Sequence, residues 1–278
     1  MNSTTRVSCI VSLLIVASYG WVALGNPPPG SAPAKQPAVN ASPNGSYLFT
    51  IRSVKGKNVE LLREVYAPSP GDLFLFDDHS VAITALYRLV GTSGPLHSAI
   101  ALRRPDGTMG LLEAGPNFHL KVFVFPAMQR LHTFSGTILV RRLKTPLSAD
   151  QSARLTKFSM AQEGKPYSMV RLLAQATPIK PRGDLRKLVL GRTCLDRDSW
   201  TCSELTAAAA TAAGILDPKV HFANAMYPRD FAYDDVFDLK PYYHEPALWY
   251  PRPNLTTTAD NHGIQVSFPG NQGKPLPR

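Results

Sequence analysis

Five short apolar runs, Leu73–Phe76, Ser98–Leu102, Gly110–Glu113, Val122–Phe125 and Thr137–Val140, crowd the part of the chain before residue 145, and each is bounded by turn-forming Gly, Pro or Asp. Runs of four or five residues between such breakers are too short for buried helices and read as strands. The pattern then changes. Ser148-Ala-Asp-Gln151 has the form of a capping box and Gly164 stands as a residue just past a helix end, which predicts a helix over 149–163. The Ala-rich stretch from Cys202 to Ala213, closed by Gly214, predicts another. Strands first and helices after them predict an α+β domain.

The rest of the 278 residues frames this unit, which we place at 45–250. Met1–Arg6 carries one positive charge and no acid. Val7–Leu24 is then almost wholly apolar, and Ala23-Leu-Gly25 precedes Asn26-Pro-Pro-Pro29. Small residues at that spacing before a proline run predict a secretory signal cleaved after residue 25, and hence a secreted or periplasmic protein. The rival is an uncleaved membrane anchor, which Tyr19 and Gly20 weaken. Residues 26–44, rich in Pro and Ala, read as a disordered linker. Residues 251–278 read as a Pro/Gly-rich tail in which Ile264–Phe268 alternates enough to add one strand.

Charge and cysteine content narrow the function classes. With 30 Lys+Arg against 20 Asp+Glu, the formal charge of +10 favours anionic surroundings such as nucleic acid, phospholipid head groups or a bacterial wall. No G-x-x-x-x-G-K-[ST] or G-x-G-x-x-G occurs, so nucleotide chemistry has no support; no nucleic-acid partner is expected either. Cys9 leaves with the leader, so the mature chain keeps only Cys194 and Cys202. Two cysteines cannot build a disulfide scaffold or a four-cysteine metal site, and without C-x-x-C or H-E-x-x-H spacing no metal and no cofactor is expected.

Cys202 draws attention through its neighbours. Thr201 and Glu204 form a T-x-x-E capping box, which makes Thr201 the N-cap and Cys202 the first residue of the helix. A thiol there meets unpaired backbone N–H groups and the positive end of the helix dipole, conditions that favour a thiolate nucleophile. Against this stand a small buried cysteine that merely packs the helix start, and a disulfide to Cys194 that would silence it.

A thiolate needs a base, and of seven histidines His97 is the informative one. It opens the run Ser98–Leu102, which turns back through Pro105-Asp106-Gly107. A three-residue loop with Gly107 left-handed sets Arg104 opposite Thr108 and Ala99 opposite Glu113. His97 and Glu113 then share a face as diagonal neighbours, within reach of a long side chain. A two-residue loop would separate them. The plainer alternative is a solvated pair on the rim, at a partly exposed position.

Taken in order, Pro70-Gly-Asp-Leu73, Leu96-His-Ser-Ala-Ile100, Leu111-Leu-Glu-Ala114, Val140-Arg-Arg-Leu143, Gly164-Lys-Pro-Tyr167 and Thr201-Cys-Ser-Glu-Leu205 resemble the circularly permuted papain-like hydrolases of the YiiX/YaeF type. These are related to the NlpC cell-wall peptidases and the lecithin retinol acyltransferases. The resemblance spans about residues 70–215. It departs from the family pattern at Ala99, Ser168 and Thr206.

The resemblance implies an antiparallel sheet carrying His97 and Glu113, packed against a helix carrying Cys202. It makes Cys202 the nucleophile, His97 the base, Glu113 the orienting third member and Tyr167 a tyrosine bordering the nucleophile. The implied substrate is a peptide or peptidoglycan-type amide, with a lipid acyl group or a catalytically silent wall-binding module as alternatives. The stretch Lys180–Lys187 reads as a solvated loop, His79 as a loop residue, and His221 and His244 as surface or packing residues.

Overall fold

The structure is a computed structural model that describes residues 46–53, 59–78, 94–115, 120–175 and 184–251. The leader, the linker, the tail strand expected at 264–268, and His79 lie outside these residues.

The observed class is α+β. Among the described residues eight strands, β1 (Ser46–Ser53), β2 (Val59–Tyr66), β3 (Leu73–Asp77), β4 (His97–Arg103), β5 (Met109–Gly115), β6 (Lys121–Pro126), β7 (Thr137–Arg141) and β8 (Ala247–Pro251), form one sheet. Its order is β2-β1-β8-β7-β3-β4-β5-β6, with every pair antiparallel. All five apolar runs are strands within it. The α-helices among the described residues are α1 (Ala127–Thr133), α2 (Ala149–Gln162), α3 (Met169–Gln175), α4 (Leu185–Leu190), α5 (Cys202–Ala212) and α6 (Pro228–Tyr233).

Both faces of the central strands are covered, which explains why those runs do not alternate. Leu73, Leu75, Ile100, Leu102 and Leu112 pack on one face with the buried residues of α2 and α5. Phe74, Phe76, Ala99, Ala101 and Leu111 fill the other with Ala127 and Leu131 of α1 and Trp249 of β8. The α5 helix is buried almost all round, and its run Ala207–Ala210 lets the helix backbone approach the sheet closely.

Several elements were not expected from the sequence. β8 returns from the far end of the chain and inserts between β1 and β7. Arg141 anchors this return: its guanidinium is fully buried and donates to Asp234 at 2.8 Å, to the Phe231 carbonyl at 3.1 Å and to the His244 carbonyl at 2.9 Å. The stretch read as the loop Lys180–Lys187 turns helical at Leu185, where α4 begins. The α2 helix carries the expected box: Ser148 Oγ accepts from the Gln151 N–H at 3.2 Å, and Gln151 Oε1 accepts from the Ser148 N–H at 3.0 Å.

The 105–107 connection decides the site. Gly107 is left-handed at φ +81°, its N–H donates to the Arg104 carbonyl at 2.9 Å, and the Arg104 N–H donates to the Thr108 carbonyl at 2.8 Å. This is the three-residue loop, and Ala99 stands opposite Glu113 as the count from it requires.

Candidate functional site

The site grows from three backbone arrangements. In the first, β4 and β5 set His97 and Glu113 on one face, and His97 Nε2 lies 3.0 Å from Glu113 Oε2. The second is a ladder that runs sideways off β6. The Val122 N–H donates to Lys165 O at 2.8 Å and the Tyr167 N–H to Leu120 O at 2.6 Å. The Trp200 N–H donates to Pro166 O at 3.0 Å and the Ser168 N–H to Trp200 O at 2.8 Å. Gly164, at φ +82°, makes the turn from α2 into this ladder. Tyr167 thus pairs with Trp200, two residues before Cys202, and is itself buried.

The third arrangement is the start of α5. Of the expected Thr201/Glu204 capping box the Glu204 half is formed, its carboxylate accepting from the Thr201 N–H at 3.1 Å, while the buried Thr201 hydroxyl makes no hydrogen bond among the described residues. Arg171 at 3.0 Å and Arg197 at 3.2 Å pair with the same carboxylate. Trp200, fully buried, donates from Nε1 to Gln162 at 3.0 Å. The turn that presents Cys202 is therefore held from both sides, and Cys202 is the first residue of the helix.

His97 meets both partners. Nε2 lies on the Glu113 carboxylate, which leaves Nδ1 to face the Cys202 thiol, close enough to act on the ring's charge. Burial opposes the imidazolium here. The hydrogen bonds and charge interactions with Cys202 and Glu113 outweigh it and push His97 up to about 9. One further bond ties the elements: Ser98 Oγ and Thr206 Oγ1, both buried, lie 3.2 Å apart, next to His97 on the strand and one helical turn below Cys202.

The rim reading of Glu113 is corrected by its surroundings. Glu113 is fully buried, because α1 lies over it and supplies Arg130. Arg130 grips the carboxylate in a fork, Nε to Oε1 at 2.9 Å and Nη2 to Oε2 at 3.1 Å. Its guanidinium stacks over Phe76 and Phe134, at 4.8 and 5.2 Å from the ring centroids. Sequence reasoning missed Arg130. Its signal was slight: a cation inside the apolar run Ala127-Met-Gln-Arg130-Leu, which a buried carboxylate elsewhere would need.

Cys194 and Cys202 are both free thiols, so the disulfide alternative is not formed. Cys194 is only half-buried, and a hydrogen bond from Arg197 leads the interactions that lower its thiol pKa. His221 is buried between Phe237 and Tyr242, a packing role, whereas His244 is exposed.

No family model and no curated protein matches the sequence. Among solved structures the chain is similar to yiiX, described as a metalloprotein, from Escherichia coli O157:H7, with a TM-score of 0.37 and 21% identity over 53% of this chain and 67% of that one. Among the described residues, no three His, Cys, Asp or Glu side chains are grouped so as to hold a metal.

Proposed function

We propose that this chain is a thiol hydrolase with a permuted papain-like fold, cleaving an amide bond of a peptide or peptidoglycan-type substrate through Cys202, His97 and Glu113. The observation that carries the reading is His97 bonded at 3.0 Å to the buried, Arg130-held Glu113, with Cys202, the first residue of α5, near enough to act on the same imidazole. That is the nucleophile, base and orienting group in the order the chemistry needs.

Cys202 as thiolate attacks the carbonyl carbon, and the carbonyl π pair moves onto oxygen. Collapse of that intermediate breaks the C–N bond while the His97 imidazolium gives its proton to the leaving amine. Water, deprotonated by His97, then attacks the thioester, and Cys202 leaves as thiolate. The Cys202 N–H, which opens α5, would donate to the oxyanion, with Tyr167 as second donor. The leader sequence supports action outside the cytoplasm, in a cationic protein suited to an anionic envelope.

The test is covalent labelling. A thiol-reactive acyl probe should add one acyl group, read by intact mass, on Cys202 in the wild type, and His97→Ala should lose most of it. Equal labelling of the two, or none in either, overturns the reading and leaves a silent wall-binding module. Offered a mixed pool of wall peptides and phospholipids, the enzyme should acquire its acyl group from the peptides; acylation from the lipids alone would replace the amide with a lipid ester.

A further inference from the structure

One cavity lies away from Cys202. β4 carries His97 at its first residue and Arg103 at its last, about 20 Å apart at roughly 3.3 Å per residue. Around the Arg103 end, between the β2–β3 connection, the 142–149 segment and the exposed flank of α2, opens a cavity of about 1130 Å³. It contains none of the residues assigned to catalysis.

Its chemistry is one-sided. Four cations, Arg103, Arg104, Arg142 and Lys157, line it against two acids, Glu64 and Asp72. Both acids are already engaged. Glu64 is bonded to Arg142, and Asp72 accepts from the Tyr66 hydroxyl and from the N–H groups of Ser69 and Leu143. Arg104 is paired with Asp106 at 3.3 Å.

Arg103 and Lys157 have no ion-pair partner among the described residues, and Arg103 donates only to the Gly107 carbonyl. A bond of 2.6 Å from Thr156 Oγ1 to the Arg103 carbonyl pins α2 to the end of β4 and brings these two free cations to one edge. The floor is apolar, from half-buried Leu143, Leu147 and Met160. Free positive charge over an apolar floor is a site for a ligand with an anionic head and a hydrocarbon body.

We propose that this cavity binds an anionic amphiphile, the head held by Arg103 and Lys157 and the chain laid along Leu143, Leu147 and Met160. The site does not depend on the catalytic reading. Isothermal titration of the full chain with decyl phosphate, at low salt, tests it. Decyl phosphate should bind at least 10-fold tighter than either inorganic phosphate or decanol. Arg103→Gln/Lys157→Gln should weaken it about 10-fold or more, because both lost contacts are charge-assisted.

Both of those residues are exposed, so melting should be unchanged and loss of binding cannot be blamed on unfolding. Ala153→Trp, exposed on the α2 flank that lines the cavity, should block binding by filling it. Cys202→Ser should bind as the wild type does, so failure of the hydrolase reading leaves this one standing. The proposal falls if decanol or inorganic phosphate binds as well as decyl phosphate, if the double variant binds like the wild type, or if Cys202→Ser loses binding. Competition by phosphatidic acid vesicles but not by phosphatidylcholine vesicles would name a lipid as the source; competition by neither would name a free phosphate ester.

Discussion

Two buried carboxylates on the same sheet are satisfied in opposite ways. Glu113 of β5 is fully buried and Asp72, just before β3, is 2% exposed. Glu113 faces a cation, the Arg130 fork, and beyond it His97. Asp72 is bonded by neutral donors only, the Tyr66 hydroxyl at 2.8 Å and the N–H groups of Ser69 and Leu143 at 3.0 and 2.9 Å. Burial accordingly raises the Asp72 carboxyl above its ordinary range, against the pull of those hydrogen bonds. Dipoles suffice at a joint that ties β2, β3 and β7. A full counter-ion is found where the buried carboxylate also bears on a neighbouring imidazole.

The sharpest way to break this comparison is to take away the counter-ion. Arg130→Met leaves a buried carboxylate with no fixed cation and should cost about 3–5 kcal/mol of stability, read by urea denaturation. A loss below about 1 kcal/mol would mean that Glu113 needs dipoles only, as Asp72 does. Glu113→Gln strands Arg130 in turn. Since Glu113 is buried rather than on the rim, this change should destabilise the fold as well as slow Cys202 acylation about 10- to 1000-fold. Acylation at the wild-type rate would remove Glu113 from the relay.

The same charge should appear in the pH dependence of stability. His97 is raised to about 9 in the folded chain, against an ordinary 6.5 when unfolded, by Cys202 and Glu113 acting against burial. A basic group whose pKa is raised by folding contributes fully below about 6.5 and loses that contribution as the pH climbs to about 9. A rise of that size corresponds to at most about 3 kcal/mol. The melting temperature should therefore decline across that interval, and less steeply in Cys202→Ala, where the largest raising contact is gone. An unchanged slope in that variant would show that Cys202 does not hold the imidazolium.

Breaking the dipole-only carboxylate should cost less. Asp72→Asn keeps the shape but turns an –NH₂ toward donors that need an acceptor, for about 1–3 kcal/mol by denaturation. Asp72 binds its proton more readily folded than unfolded, so as pH falls below neutrality it adds stability that the Asn variant should lack. A cost above that of Arg130→Met would invert the comparison.

How much of this could be read in advance follows from where the determinants lie. The Cys202 capping box, the 148–151 box and the 105–107 loop are local devices of three or four residues, and the register that joins His97 to Glu113 follows from the loop by counting. Arg130, β8 and Arg141–Asp234 are contacts between segments 17 to about 100 residues apart, fixed by sheet order rather than by local spacing. Hence the position of Glu113 was legible while its burial was not, since burial depends on α1 folding back across β5. The Lys180–Lys187 stretch misled because its basic residues and Pro mask the start of α4 at Leu185, whose helix is held by the buried Arg186–Asp230 pair at 2.6 Å.

A third way of satisfying a buried polar group yields the smallest effect. Among the described residues the Ser98 and Thr206 hydroxyls meet neither a cation nor a backbone donor, only each other at 3.2 Å, and they join the His97 strand to the Cys202 helix. Thr206→Val keeps the volume but leaves the buried Ser98 hydroxyl without its partner, at a cost of about 1–2 kcal/mol. Adding Ser98→Ala removes the stranded group, so the double variant should recover most of that loss. Its acylation rate should still fall modestly, about 2- to 5-fold, if the bond fixes the spacing of His97 and Cys202, since a small misplacement of reacting groups is felt in rate before stability. If the double variant recovers stability and acylates at the wild-type rate, the pair is packing alone, and the charged relay through Glu113 and Arg130 places His97 without help from it.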